Sequence, residues 1–597
     1  MQLTGGQMIV EYLISEGVKY VFAVPGHGNT ALVDAFVDYK DRITMLPAMH
    51  EQGAAHMADG YYRSSGEIAA VLTSIGPGAT NALTGLTTAY ADSIPILLIT
   101  GGVHTYMDGR GVLQEIDRPH NNNFPAMASP VVKRWWQPGT LGQIPTMLHQ
   151  AFNAMLEGRR GPVLLDIAQD LQAERGDWDP PSPQRRRAAG RPAGDRHEIA
   201  RAAQLVASAE RPLLLAGGGV IQSGGADAFV AIAEHLGAPV TTSFNGKGTI
   251  AEDHELFAWP CGELGSIPGN AMTREADVIL AVGCRFSDRV TSSYRAGVTF
   301  NIPPTKLVQI DIDGFEIGKN YPVEVGIVGD ARNVLEDLLA NLRQTVPQKD
   351  YPGTPYFEEL QGYKRDWEER LRPMRTSDHV PMTLSRALAE VRNVLPRDGI
   401  VVTDSSSPQA HTFNEFPVYG PRTHITDGCM QGIGFGIPAA YGVQLGAPDK
   451  KVLAIIGDGS FLMTGQELAT AAMLGLPTVV LVFNNGGWGA IANLQANLFG
   501  QDREINTHFR KRSGERYYAN VTEVARGLGV HAERVEDPAE LAGALERAFA
   551  TGGPALVEAM TDSELPWSGM HSTGQWDITV PAYLGEARER YVEARGF

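Results

Sequence analysis

Residues 454–489 read AIIGDGSFLMTGQELATAAMLGLPTVVLVFNNGGWG. An apolar strand (Val452 to Ile456) ends in Gly-Asp-Gly, an amphipathic helix follows, and a second strand (Thr478 to Phe483) ends in Asn-Asn. The helix reads as a parallel crossover, which sets the two strand ends side by side at one sheet edge. A carboxylate, Asp458, and a carboxamide, Asn485, lie 27 residues apart in sequence and therefore meet near a helix N-terminus. Hard oxygen ligands suit Mg²⁺ and a helix start suits a phosphate, so the pattern predicts a divalent cation carrying a diphosphate.

The same alternation extends outward from this stretch. Residues 1–172 hold the strand candidates YVFAVPG, AAVLTSIG, ILLITGG and PVLLDIA. Residues 197–342 hold PLLLAGGG, DVILAVG and KLVQIDID, and residues 380–597 hold IVVTD, KVLAIIG, TVVLVFNN and PALVEAM. Continuous β-branched runs separated by helical patterns indicate parallel sheets covered on both faces. Two polar stretches rich in Pro and Arg, 176–196 and 343–379, read as linkers, the second of them part helical. The expected fold class is α/β, with three doubly wound parallel-sheet domains at 1–175, 197–342 and 380–597. The first and third are expected to share a topology, and the last carries a C-terminal tail or lid.

A chain of 597 residues is too long for a single core. Its 43% hydrophobic and 20% charged residues are those of a globular protein, and a net charge of −18 argues against a nucleic-acid or anionic-membrane partner. Cys261, Cys284 and Cys429 form no CxxC or ligand cluster, which suits a reducing cytoplasm. No basic segment followed by a long apolar run opens the chain, and no stretch approaches a membrane span.

Gly-Asp-Gly, then 24 residues, then Asn-Asn resembles the binding motif of thiamine diphosphate enzymes. The resemblance implies that Asp458 and Asn485 bind Mg²⁺ through their side chains and Gly487 through its carbonyl. Diphosphate oxygens and a water would complete the octahedron. The three-segment plan resembles the acetolactate synthase and pyruvate oxidase branch of that superfamily over nearly the whole chain. By that resemblance the first domain (pyrimidine-binding) of one subunit and the third (diphosphate-binding) of another enclose the cofactor. A homodimer is then the minimum, and a homotetramer is the expected assembly.

Glu51, in LPAMHEQGAAHMADGYYRSSG, follows a short strand and opens an Ala/Gly-rich helix. The family's Glu at this position bonds the pyrimidine ring and promotes the tautomer that removes the thiazolium C2 proton, so the resemblance makes Glu51 catalytic. Ile433, in CMQGIGFGIPAAYG, matches the bulky residue wedged under the folded cofactor, and the flanking Gly432, Gly434 and Gly436 permit close approach. For the diphosphate, Gly459 and Ser460 and the Ser405-Ser406-Ser407 turn offer N–H groups and hydroxyls. Substrate-side candidates are His27, in a turn after strand YVFAV, and Gln114, which matches a Gln that reaches the reacting carbon; Gly76 belongs to the cofactor-side turn TSIGPGATN. In the middle segment AGGGVIQSGG, NGKG, GCRFSDRVT and QIDIDGFEIGKN resemble acetolactate synthase. There Gly217, Gly218, Arg285, Arg289, Asp311 and Asp313 are implied to surround FAD, with ADP or an empty site as the alternatives.

The match departs at informative places. Leu494 stands where acetolactate synthases carry a Trp, and GELGSIPGN replaces a Met-His-Gly stretch. Ile491, six residues past the second Asn, replaces the acid of simple pyruvate decarboxylases. The GHGN and SIGPGATN turns are similar to hydrolases that open cyclic 1,2-diones. The tail LPWSGMHSTGQWDITVPAYLGEARERYVEARGF resembles the lids of 2-hydroxyacyl-CoA lyases and oxalyl-CoA decarboxylases. The expected function is a thiamine diphosphate- and Mg²⁺-dependent carbon–carbon lyase or carboligase acting next to a carbonyl. Acetolactate-synthase-like condensation of a 2-keto acid leads. A 2-hydroxyacyl-CoA lyase or acyl-CoA decarboxylase, a cyclic-dione hydrolase and a catalytically silent homologue are the alternatives.

Overall fold

The computed structural model describes residues 2–115, 124–179, 187–188, 190–562 and 577–595. Three all-parallel sheets dominate it, as β-branched runs alternating with amphipathic helices require. The N-terminal sheet has six strands in the spatial order Thr44–Pro47, Tyr20–Ala23, Ala70–Thr73, Leu97–Gly102, Val163–Ala168, Trp135–Trp136. The C-terminal sheet repeats that order with His424–Thr426, Ile400–Thr403, Val452–Gly457, Val479–Asn484, Ala555–Met560 and His531–Val535. Each therefore has a point between its first and third strands in sequence where the winding reverses, and ligands bind at such points. The central sheet is five-stranded: Val240–Thr242, Pro212–Ala216, Val278–Val282, Lys306–Asp311, Val325–Val328. A short antiparallel pair, Gln2–Thr4 with Arg175–Asp177, ties the chain start to the end of the first domain.

Residues 343–379 hold the helix Pro355–Arg375, capped by Thr354. Its Trp367 and Leu371 are buried in the central core, so this stretch is packed structure over most of its length. Of residues 176–196, the stretch 180–186 and residue 189 fall outside the described residues, as does 563–576 of the tail. Among the described residues no helix is long and apolar enough to cross a membrane.

The N- and C-terminal sheets share one apolar cluster, which includes Tyr61, Tyr62, Leu86, Tyr441, Val452 and Val480. Its axis is the crossing of helices Glu51–Ser65 and Gly436–Gly446. Both helices are rich in Gly and Ala, so their backbones touch: a Cβ on Gly60 would lie 2.1 Å from the Ala439 carbonyl oxygen, and one on Gly442 would lie 1.9 Å from that of Met57. The obstacle is backbone, which cannot rotate away. Gly442→Ala is therefore expected to cost about 3 kcal/mol of stability, at the upper end for overpacking, read as a lowered denaturation midpoint. Stability equal to that of the unsubstituted protein would contradict the contact.

Candidate functional site

Strands Val452–Gly457 and Val479–Asn484 pair in parallel with Gly457 opposite Phe483, which brings the two loop starts together. Asp458 opens the helix Asp458–Thr464 and is buried, and its Oδ2 accepts the Gly487 N–H at 3.1 Å. The two asparagines have separate duties. Asn484 donates to Glu558 Oε1 at 2.7 Å and to the Ala519 carbonyl, and accepts the Gly486 N–H, so it braces the loop. Asn485 Oδ1 is buried without a hydrogen-bond partner among the described residues. A buried carboxamide oxygen normally finds a donor, and this one belongs to the loop whose Gly487 N–H the Asp458 carboxylate accepts. The loop is fixed from outside by Arg516 donating to the Asn485 carbonyl at 2.9 Å, Phe509 N–H to the Gly486 carbonyl and Trp488 N–H to the Thr507 carbonyl. Burial pushes the Asp458 carboxyl up to about 6 against the pull of N–H groups led by that of Gly487. A hard divalent cation bound by Asp458, Asn485 and the Gly487 carbonyl would match this donor set and favour the carboxylate. No cluster of three His, Cys, Asp or Glu side chains competes for a metal among the described residues.

Beside this turn, strand Ile400–Thr403 ends in Asp404, a residue the sequence pattern does not single out. Its buried carboxylate accepts N–H groups from Gly434 and Gly436 (3.1 and 2.7 Å), the Ser405 N–H and the Ser460 hydroxyl. Burial pushes it up to about 6, with the Gly436 and Gly434 N–H groups opposing. Asp404 thus joins three expected pieces: the serine turn, the Gly459-Ser460 helix start and the Ile433 loop. Ser405 Oγ is a second buried oxygen without a partner among the described residues, and Ser406 holds a left-handed backbone at φ +88°. That conformation is uncommon for a side chain other than Gly, Asn or Asp. An orphaned hydroxyl on a strained turn, next to the helix start, fits a bound diphosphate. Gly459 is required where it stands, because a Cβ there would lie 2.3 Å from the Trp488 ring.

On the N-terminal sheet, Glu51 follows strand Thr44–Pro47 and opens helix Glu51–Ser65. It is 8% exposed, and Asn81 donates to its Oε2 at 3.0 Å. Glu467, from the C-terminal domain, accepts the Met49 and His50 N–H groups at 3.0–3.2 Å and so fixes the turn that presents Glu51. Gly53 leaves the space that the Glu467 carboxylate fills. Neither Asn81 nor Glu467 carries a signal readable in sequence, since each works through a contact made only in the fold. Gly76, at φ +62°, packs against the Gln114 backbone, and Gly28 N–H reaches the Ser74 hydroxyl at 3.2 Å. His27 and Gln114 are exposed at this edge, and among the described residues neither side chain hydrogen-bonds to Glu51.

Between the central and outer domains lies a cavity of about 550 Å³ lined by Gly218, Arg285, Asp311, Phe244, Asp92 and Cys429 among others. Gly217 begins the glycine turn at its wall, where a Cβ would lie 1.9 Å from the Gly283 carbonyl oxygen. Burial pushes Asp311 up to about 6. Arg289 pairs with Glu263 at 3.0 Å and lies over Phe244, which stacks on Phe413 of the C-terminal domain. Asp313 faces Arg159 at 3.6 Å. The volume and the mixed apolar and charged wall suit a nucleotide-sized ligand.

Family models match three stretches: the thiamine pyrophosphate enzyme N-terminal TPP binding domain over residues 3–120, the central domain over 199–338 and the C-terminal TPP binding domain over 404–559. The chain is 36% identical to a probable acetolactate synthase large subunit of Methanocaldococcus jannaschii, over 94% of this chain and 92% of that protein. It is 34% identical to the acetolactate synthase large subunit of Corynebacterium glutamicum, over 98% and 91%. Identity to the acetolactate synthase isozyme 3 large subunit of Escherichia coli is 34%, over 83% and 85%.

Proposed function

Since the chain belongs to the thiamine pyrophosphate enzymes, in their acetolactate-synthase-like branch, we propose that it condenses a 2-keto acid with a second carbonyl compound, using thiamine diphosphate held by Mg²⁺. The observation that carries the cofactor reading is Asn485 Oδ1, without a partner among the described residues, on the loop whose Gly487 N–H Asp458 accepts. When bound, the thiazolium would supply the attacking carbon and an electron sink for the bond that breaks. Asp458, Asn485 and the Gly487 carbonyl would hold the cation; Ser405, Ser406, Gly459 and Ser460 would face the diphosphate. Ile433 and Gly432 would form the floor under the rings, with Gly76 on the pyrimidine side. Glu51 would hold a proton at the pyrimidine nitrogen, and Asn81 and Glu467 would keep its carboxylate in place. His27 and Gln114, at the open edge, would meet the substrate.

Condensation is favoured over release of free aldehyde by two features. The relatives are named acetolactate synthases. The position at which the resemblance expects a proton donor is Ile491, half-exposed in the first turn of helix Gly489–Phe499. A second carbonyl is then the natural partner for the activated carbon. We further propose that FAD or ADP fills the central cavity and that the N-terminal domain of one copy completes the site on the C-terminal domain of another. Three free cysteines suit a cytoplasmic setting. The test is to offer pyruvate, 2-hydroxyacyl-CoA thioesters and cyclic 1,2-diones to the purified protein with thiamine diphosphate and Mg²⁺, and to identify products by mass spectrometry. A condensed keto acid with loss of CO₂ is expected. Turnover of a thioester or a dione alone would replace this reading with the lyase or the hydrolase.

A further inference from the structure

We propose that Asp427 and Asp404 are a pair of positioning residues that bracket Ile433 and fix the floor of the cofactor site from its two ends. The inference rests on the assignment of the Ile433 loop to the cofactor. Asp427 ends the edge strand His424–Thr426 and is fully buried. Its Oδ2 accepts the Gly432 N–H and its Oδ1 accepts the Met430 N–H at 3.0 Å. Asp404 takes the next available N–H groups, those of Gly434 and Gly436. Ile433 therefore stands between two peptide groups that are each held by a buried carboxylate. Charge-assisted bonds of this kind are shorter and roughly twice as strong as neutral ones.

The bracket is itself anchored outside the loop. Gln409 donates to the Asp427 carbonyl at 2.7 Å from the helix that follows the serine turn. Gly428 N–H reaches Asp92 Oδ2 at 2.9 Å, and Arg63 donates to that same oxygen and to the Thr426 carbonyl. On its far side the segment forms part of the central cavity wall, through Gly428 and Cys429. The charged and titratable groups around Asp427 are thus Asp92, Arg63 with its partner Asp59, Arg285 and Cys429.

This arrangement is costly to the cofactor-free fold. Burial, then the charge of Asp92, pushes Asp427 up to about 7. A carboxyl raised in the folded state contributes stability that is fully present below its ordinary value and lost as pH rises through about 7. At pH 8 the buried charge is a burden on the fold, kept where a neutral side chain would be easier to bury. Retention of such a group at a ligand site matches a trade of stability for positioning.

The test compares Asp427→Asn, Asp427→Ala and Ile433→Ala at pH 8, measuring the melting temperature without cofactor, thiamine diphosphate affinity, and C2-proton exchange per bound cofactor. Asp427→Asn, which keeps one acceptor oxygen, is expected to melt no lower than the unsubstituted protein, yet to bind cofactor about tenfold more weakly, as loss of one charge-assisted bond implies. Asp427→Ala is expected to slow exchange per bound cofactor by about a hundredfold, the scale of an ångström's misplacement. A lowered melting temperature in Asp427→Asn, with exchange per bound cofactor unchanged in both Asp427 variants, would reduce Asp427 to a structural residue and overturn the proposal. Normal affinity and exchange in Ile433→Ala would instead overturn the assignment of the loop to the cofactor.

Discussion

Glu51→Gln is expected to slow exchange of the C2 proton of bound thiamine diphosphate by about a hundredfold or more, the scale that a positioned proton-transfer group supplies. Glutamine has the same length and still offers an oxygen to Asn81, so helix Glu51–Ser65 and the Glu467 contacts to Met49 and His50 are left intact. On the proposed role, the substitution would remove only the ability to exchange a proton with the pyrimidine nitrogen. Cofactor affinity is therefore expected to change little, about threefold at most, because glutamine keeps the length and hydrogen-bonding capacity of the side chain it replaces. Proton exchange followed by NMR on the loaded protein reads the first quantity, and titration calorimetry reads the second. Exchange at the unsubstituted rate would remove Glu51 from the chemistry.

Asp458→Ala is expected to abolish retention of the cofactor. Outer-shell partners of a metal site cost about 10–100-fold in affinity when removed, and a ligand that carries the site's one carboxylate must cost more. The change also frees the Gly487 N–H and would deprive Asn485 Oδ1 of the proposed ion. Chelation of Mg²⁺ in the unsubstituted protein should release thiamine diphosphate in the same way. Both are read by mass spectrometry of the cofactor content after gel filtration. Full retention by Asp458→Ala would place the metal elsewhere.

The strand ends of residues 452–485 were legible because hydrophobic runs, turn glycines and a fixed spacing all belong to one continuous stretch. The α/β class and the likeness of the first and third sheets followed from the same local signals, and both sheets prove to have one strand order. Asp404, Asp427 and Glu467 escaped because their partners include backbone N–H groups brought close by the fold, up to 418 residues away in the chain. No periodicity marks such a carboxylate. The helix Pro355–Arg375 reads as a linker for a related reason: its many charges and its internal Pro373 suit one, and Leu360, Trp367 and Leu371 are its only fully buried residues among 21.

The claim on which the rest depends is that Glu51 and Asp458 serve one site built from two copies of the chain. Mixing Glu51→Gln with Asp458→Ala protein, under conditions that exchange subunits, tests it. Each variant alone should be inactive. If the site is shared between copies, hybrids carry one intact site, and random pairing into dimers should restore about a quarter of the unsubstituted activity. If both residues act within a single chain, every site retains a defect, and a mixture as inactive as its components would contradict the account.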